Sequence, residues 1–267
     1  MTQRQQIGFS QRIRLEWLEH TAGLALAGCT RAQVEAALQN LLRDRLSVGG
    51  SAERGNREKA ITILLRTWVS VPDRLRPLRD DGLDLLSRLP APDHLPVHWG
   101  MVLAAYPFFG AVAEVVGRLL RLQGTASAAQ IQRRVREQLG ERATVARAAR
   151  RILRCFVDWD VLRETGHKGI YQAVPARPLP EERLAVWLIE AALISTGDRQ
   201  AALRTIAEGP LLFPFSVASI RGVESACSPR LEFFRHGLDE QMVALRRPPH
   251  ALDGADDALF SSHGSGS

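Results

Sequence analysis

Lysine is almost missing from this chain: Lys59 and Lys168 are the two lysines among 35 basic side chains in 267 residues. A GC-rich genome produces the same bias, so the choice of arginine carries no weight and only its placement does. Cysteine is equally sparse. Cys29, Cys155 and Cys227 are far apart, odd in number and without CxxC spacing, which argues against a disulfide framework and a thiolate metal site and for a reducing compartment. The opening residues MTQRQQIGFSQRIRLEWLEH contain no continuous apolar core, so no secretory signal is read and a cytoplasmic setting is expected.

Motifs for catalysis are missing as well. No glycine-rich phosphate loop runs into Lys-Ser or Lys-Thr, no GxGxxG follows a strand, and no GxSxG elbow exists. Asp80-Asp81 and Asp158-Trp159-Asp160 pair carboxylates as a metal-dependent nuclease would need. The first pair precedes Gly82 and reads as a turn; the second reads as the end of a helix. His94 and His98 are four apart, a metal-like spacing on a helix, but Pro96 lies between them and no third ligand is indicated. No catalytic residue, metal or cofactor is therefore assigned, and the chain is read as a non-enzyme.

A long uninterrupted apolar run is also lacking. Val97 to Leu120 comes nearest, yet Pro107 breaks it and His98, Gly110 and Glu114 lie within it. Two buried helices meeting at Pro107 are expected rather than a membrane span, because proline suits the first turn of a helix.

What remains is an ordinary globular composition, 45% hydrophobic and 24% charged, with its positive charge gathered in one place. Between Arg121 and Arg154, nine arginines face two glutamates, a local net of +7 in a chain whose total is +6. Such a patch is the footprint of a polyanionic partner. Within it, a helix over 141–157 places Val145, Ala149, Ile152, Leu153 and Phe156 on one face and Arg147, Arg150, Arg151 and Arg154 on the other. A shorter helix precedes it, with Ile131, Val135 and Leu139 on one side, Ser127 or Thr125 as N-cap and Gly140 at its end. Val161-Leu162-Arg163-Glu164 and Ile170 to Val174 then read as two strands joined through Thr165-Gly166-His167-Lys168-Gly169.

This helix-helix-hairpin order, with a first helix over 107–122, resembles a winged helix-turn-helix domain. The resemblance covers about a quarter of the chain and implies a DNA-binding unit. Its helix over 141–157 would enter the major groove through Thr144, Arg147, Arg150 and Arg151, with Arg154 on the same nucleic-acid-binding face. Arg133, Arg134 and the wing-tip residues His167 and Lys168 would hold phosphates, which sets register without reading sequence.

The whole is expected to be mainly α: a helical N-terminal domain (1–95), the winged helix with its β-hairpin wing (96–176), a small C-terminal α/β element (177–247) and a disordered tail (248–267). Leu89 to Pro96 and Pro175 to Pro180 are read as extended linkers. Duplex DNA is the expected partner, sequence-specific or not, with a protein partner or homodimer through the flanks and no membrane. The alternative is a non-catalytic assembly subunit of a larger bacterial DNA-processing or defence complex that docks through those flanks.

Overall fold

Local sequence rules account for most of the helix boundaries. The computed structural model describes residues 7–46, 55–217, 228–237 and 240–246. The expected tail, Cys227 and the Gly49-Gly50-Ser51 break lie outside them. Among the described residues, ten α-helices and three small sheets make the protein mainly α.

Residues 7–14 run without helix ahead of α1 (Leu15–Leu26). Helix α2 (Arg31–Leu41) opens on a reciprocal capping box: Thr30 accepts from the Gln33 amide while Gln33 Oε1 accepts from the Thr30 amide at 2.8 Å. Helix α3 (Asn56–Trp68) and α4 (Arg76–Arg88) follow, with Pro77 tolerated in the first turn of α4 and Gly82 in its interior. The expected turn at Asp80-Asp81 is instead the middle of that helix. Asp80 pairs with Arg79, and Asp81 reaches Arg230 at 2.6 Å.

The proline-rich stretch expected to be a linker is a short 3-10 turn (Ala91–Asp93) feeding directly into α5 (Leu95–Ala105). Pro96 sits in the first turn of α5, where its missing N–H costs nothing. Pro107 opens α6 (Pro107–Gln123), and the two apolar helices bend by 118° at Tyr106. No single helix among the described residues is long and apolar enough to cross a membrane, and every residue of α5 is buried inside the protein.

After Gly124, held at φ +72, come β1 (Thr125–Ser127), α7 (Ala128–Leu139), α8 (Ala143–Asp158), β2 (Leu162–Glu164) and β3 (Ile170–Ala173). Their sheet is antiparallel in the order β1-β3-β2, with Ala126 opposite Tyr171 and Arg163 opposite Gln172. Strand β1 has three residues, too few for a periodic signal. The second expected linker contains β4 (Arg177–Pro178). It is followed by α9 (Glu182–Thr196), β5 (Gln200–Ala202) and α10 (Leu203–Ala207), then β6 (Phe215–Ser216), which pairs in parallel with β4. Within the expected C-terminal α/β element, β7 (Leu231–His236) pairs with β8 (Glu240–Leu245) as a hairpin, extended by β5 to the order β5-β8-β7.

One cluster of buried side chains runs from Phe9 to Val243. Its centre is Trp99 of α5, whose ring lies 5.0 Å from Phe156 of α8, 5.1 Å from Phe109 of α6 and 5.8 Å from Phe213 and Phe215. Such edge and tilted contacts add to what burial of the rings already contributes. Close approaches are made by glycine: a Cβ at Gly117 would collide with the Pro210 carbonyl, and one at Gly100 with the Trp187 ring. The back of α8 is therefore fastened to α5, α6 and the segment around Phe213.

Candidate nucleic-acid interface

Helix α8 presents three environments around its circumference. Val145, Ala148, Ala149, Ile152, Leu153, Cys155 and Phe156 are buried in the core. On one flank, residues 10–13 lie along the helix. Arg151 donates to the Ser10 carbonyl, and the Ile13 amide lies 3.2 Å from Cys155 Sγ. Beyond them, Arg12 bridges both oxygens of Asp158, and Trp159 donates to the Ile13 carbonyl at 2.9 Å. The remaining arc is exposed and carries Arg147, Arg150 and Arg154, with Thr144 near its start.

Arg151 is therefore a correction to the expected DNA-facing set. The 3.6-residue repeat puts it among the exposed arginines, but the N-terminal segment, some 140 residues away in sequence, covers that edge. Its guanidinium is half-buried and spent on a backbone carbonyl; burial, and secondarily Arg147, push its pKa below the usual arginine value. Cys155 is fully enclosed: burial pushes its thiol up to about 12, which leaves it protonated and unreactive near neutral pH.

The three outward arginines differ in their surroundings from those of α7. Among the described residues, no carboxylate lies within ion-pair distance of Arg147, Arg150 or Arg154; Arg150 has a 3.5 Å contact with Gln132 Oε1. On α7, Arg134 lies 3.1 Å and Arg133 3.6 Å from Glu137, and Arg136 is 3.8 Å from Glu141. Exposed pairs of this kind contribute little stability, yet they neutralise charge locally. Arg154 also faces the sheet: it opposes burial and Glu164, which raise the Tyr171 pKa.

The loop between β2 and β3 is braced rather than loose. The Thr165 amide donates to the Ile170 carbonyl at 2.8 Å, and the Ala128 amide at the start of α7 donates to the Gly169 carbonyl at 2.8 Å. Glu164 accepts from the Gly169 amide, where φ is +77. His167 and Lys168 are exposed at the tip. The start of α7 is fixed too, by a second reciprocal capping box in which Gln130 N donates to Ser127 Oγ at 3.1 Å and Ser127 N to Gln130 Oε1 at 3.0 Å. Substituting such a cap typically costs about 1 kcal/mol. Arg133, Arg134, Thr144, Arg147, Arg150, Arg154, His167 and Lys168 are thus all exposed on one helix-helix-sheet unit.

The carboxylate pairs do not converge on a shared metal position. Asp158 is paired with Arg12, and Asp160, at φ 52, lies 3.3 Å from Arg177. Glu190, 2% exposed, binds Arg230 through both oxygens at 2.7 and 3.1 Å, and Asp81 shares that guanidinium. This charge cluster, buried at Glu190 and partly exposed at Arg230 and Asp81, fastens the start of β7 to α9 and α4, and removing Arg230 would strand the buried Glu190.

His94 and His98 do acquire a third companion that sequence spacing did not indicate. Glu19, from α1, lies 3.0 Å from His94 Nδ1 and 3.1 Å from His98 Nε2. Glu19 precedes His94 by 75 residues, and no motif links them. Compared with known proteins, the chain matches no family model, no curated protein and no solved structure.

Proposed function

We propose that residues 107–174 are a winged helix-turn-helix unit that binds duplex DNA, with α8 as the helix in the major groove. The observation that carries this reading is the row Arg147, Arg150 and Arg154, exposed, without carboxylate partners among the described residues, on a helix anchored behind by the core. Seven residues of helix rise about 10 Å, which matches roughly three base-pair steps. The helix-strand-helix-helix-strand-strand order and the β1-β3-β2 sheet support the assignment, since that arrangement carries a hairpin beside the groove-binding helix.

In this mechanism the three guanidiniums and Thr144 meet base edges, for which arginine offers a bidentate match to guanine. Arg133 and Arg134, together with His167 and Lys168 at the hairpin tip, contact phosphates and set register. Arg151 has no part in it. The core behind α8 holds the helix in place before contact, so little side-chain or backbone order has to be established on binding.

The test is fluorescence anisotropy with a labelled duplex and the matching single strand, from low to moderate salt. Tighter binding to duplex that weakens as salt rises is expected. No duplex binding at low salt would refute the reading and favour the assembly subunit that docks through its helical flanks.

A further inference from the structure

The junction between α1 and α5 contains a contact that neutral chemistry leaves unresolved. His94 Nε2 lies 2.9 Å from the Leu89 carbonyl, which can only accept, so Nε2 carries the ring hydrogen. In the neutral ring Nδ1 is then a bare lone pair, yet it faces both oxygens of Glu19 at 3.1 and 3.0 Å. Two acceptors face each other across hydrogen-bond distance. His98, fully buried and edge-on to Trp68, brings Nε2 to 3.1 Å from the same carboxylate without the alignment of a hydrogen bond, and its Nδ1 has no hydrogen-bond partner among the described residues.

A positive species between these atoms resolves the conflict. A proton on His94 would serve one contact and leave His98 unsatisfied. A cation at the centre would serve three donors from three places: Glu19 on α1, His94 at the entry to α5 and His98 one turn further on. We propose that Glu19, His94 and His98 bind one divalent transition-metal cation of the zinc class, with a water in the fourth position.

The chemistry of the donors selects that class. Two imidazoles and one carboxylate suit zinc and its neighbours, whereas magnesium and calcium take oxygen donors. A tetrahedron with zinc-ligand bonds of about 2.0–2.1 Å has edges of about 3.3 Å; the Glu19 contacts to the two histidines, 3.0 and 3.1 Å, are already near that, and all three donor atoms lie within 4.8 Å of one another, so a shift of up to about 1.5 Å between the imidazoles closes the site. His94 already has the outer support a ligating histidine needs, its second nitrogen donating to a backbone carbonyl. Glu19 and His94 are partly exposed, which leaves a path for ion and water.

The test uses the full chain, stripped with chelator and titrated with cobalt(II) while visible absorption is followed, then challenged with zinc. One equivalent of cobalt is expected to give intense four-coordinate bands without sulfur charge transfer, and zinc to displace it. Glu19→Gln and His94→Gln, checked for folding by circular dichroism, are each expected to weaken binding by at least about 100-fold, the upper end of what losing a supporting partner alone costs. Zinc should also raise the Tm of wild type and not of the variants. Only weak six-coordinate absorption in wild type, or binding by folded Glu19→Gln equal to wild type, would overturn the site and assign the ion to surface histidines. Should both variants unfold, the wild-type cobalt spectrum decides alone.

Discussion

Helices α7 and α8 are both arginine-rich and both exposed, yet they differ in what their charge is free to do. On α7, Arg133 and Arg134 share Glu137, and Arg136 leans toward Glu141. On α8, Arg147, Arg150 and Arg154 have no acidic partner among the described residues; of the acidic residues at the two ends of this helix, Asp158 is paired with Arg12 and Glu141 lies near Arg136. A count of charges does not separate the two helices. The positions of their few carboxylates do, and those positions make α8 the stronger attractor for a polyanion.

The comparison breaks most sharply on substitution of the free arginines. Replacing Arg147, Arg150 and Arg154 with alanine is expected to raise the Kd for duplex DNA by at least about 100-fold, since each base-reading arginine accounts for roughly 1–3 kcal/mol. Titration of a labelled duplex at fixed salt measures it. Next comes Arg151→Ala, which lies on the same helix and should act on a different quantity. Loss of its bond to the Ser10 carbonyl should cost about 1–2 kcal/mol in urea unfolding while leaving DNA affinity within about two-fold. An Arg151 variant that lost DNA binding but kept its stability would reverse the assignment of that side chain.

Smaller effects sharpen the α7 side. Arg133→Ala with Arg134→Ala is expected to weaken binding by no more than about ten-fold, equally for unrelated duplex sequences, as phosphate contacts do. Glu137→Gln should do the opposite. Freeing both guanidiniums should tighten duplex binding by roughly two- to five-fold at low salt, with the gain fading as salt screens it.

These contrasts also separate what was legible in the sequence from what was not. The Thr30 and Ser127 capping boxes, the buried stripe of α8, the helix start at Pro107 and the C-terminal hairpin follow from rules that act over a few residues. Proline misled where Leu89 to Pro96 was read as a linker, because Pro96 begins a helix rather than separating two domains. Arg151 was misplaced because helical periodicity knows nothing of residues 7–14, which return to cover one flank of α8. Glu19 beside His94 and His98, and Asp81 beside Arg230, belong to the same class: each joins elements distant in sequence, and only packing brings them together.

The central claim is that the outward face of α8 is the DNA-contacting surface. Its most direct test is duplex binding across a salt series for wild type and for the Arg147, Arg150, Arg154 triple-alanine variant, with circular dichroism showing both folded. Binding by wild type that falls steeply with salt, and loss of that binding in the folded variant, is the expected result. Equal binding by the two proteins, or none by wild type at low salt, would contradict it.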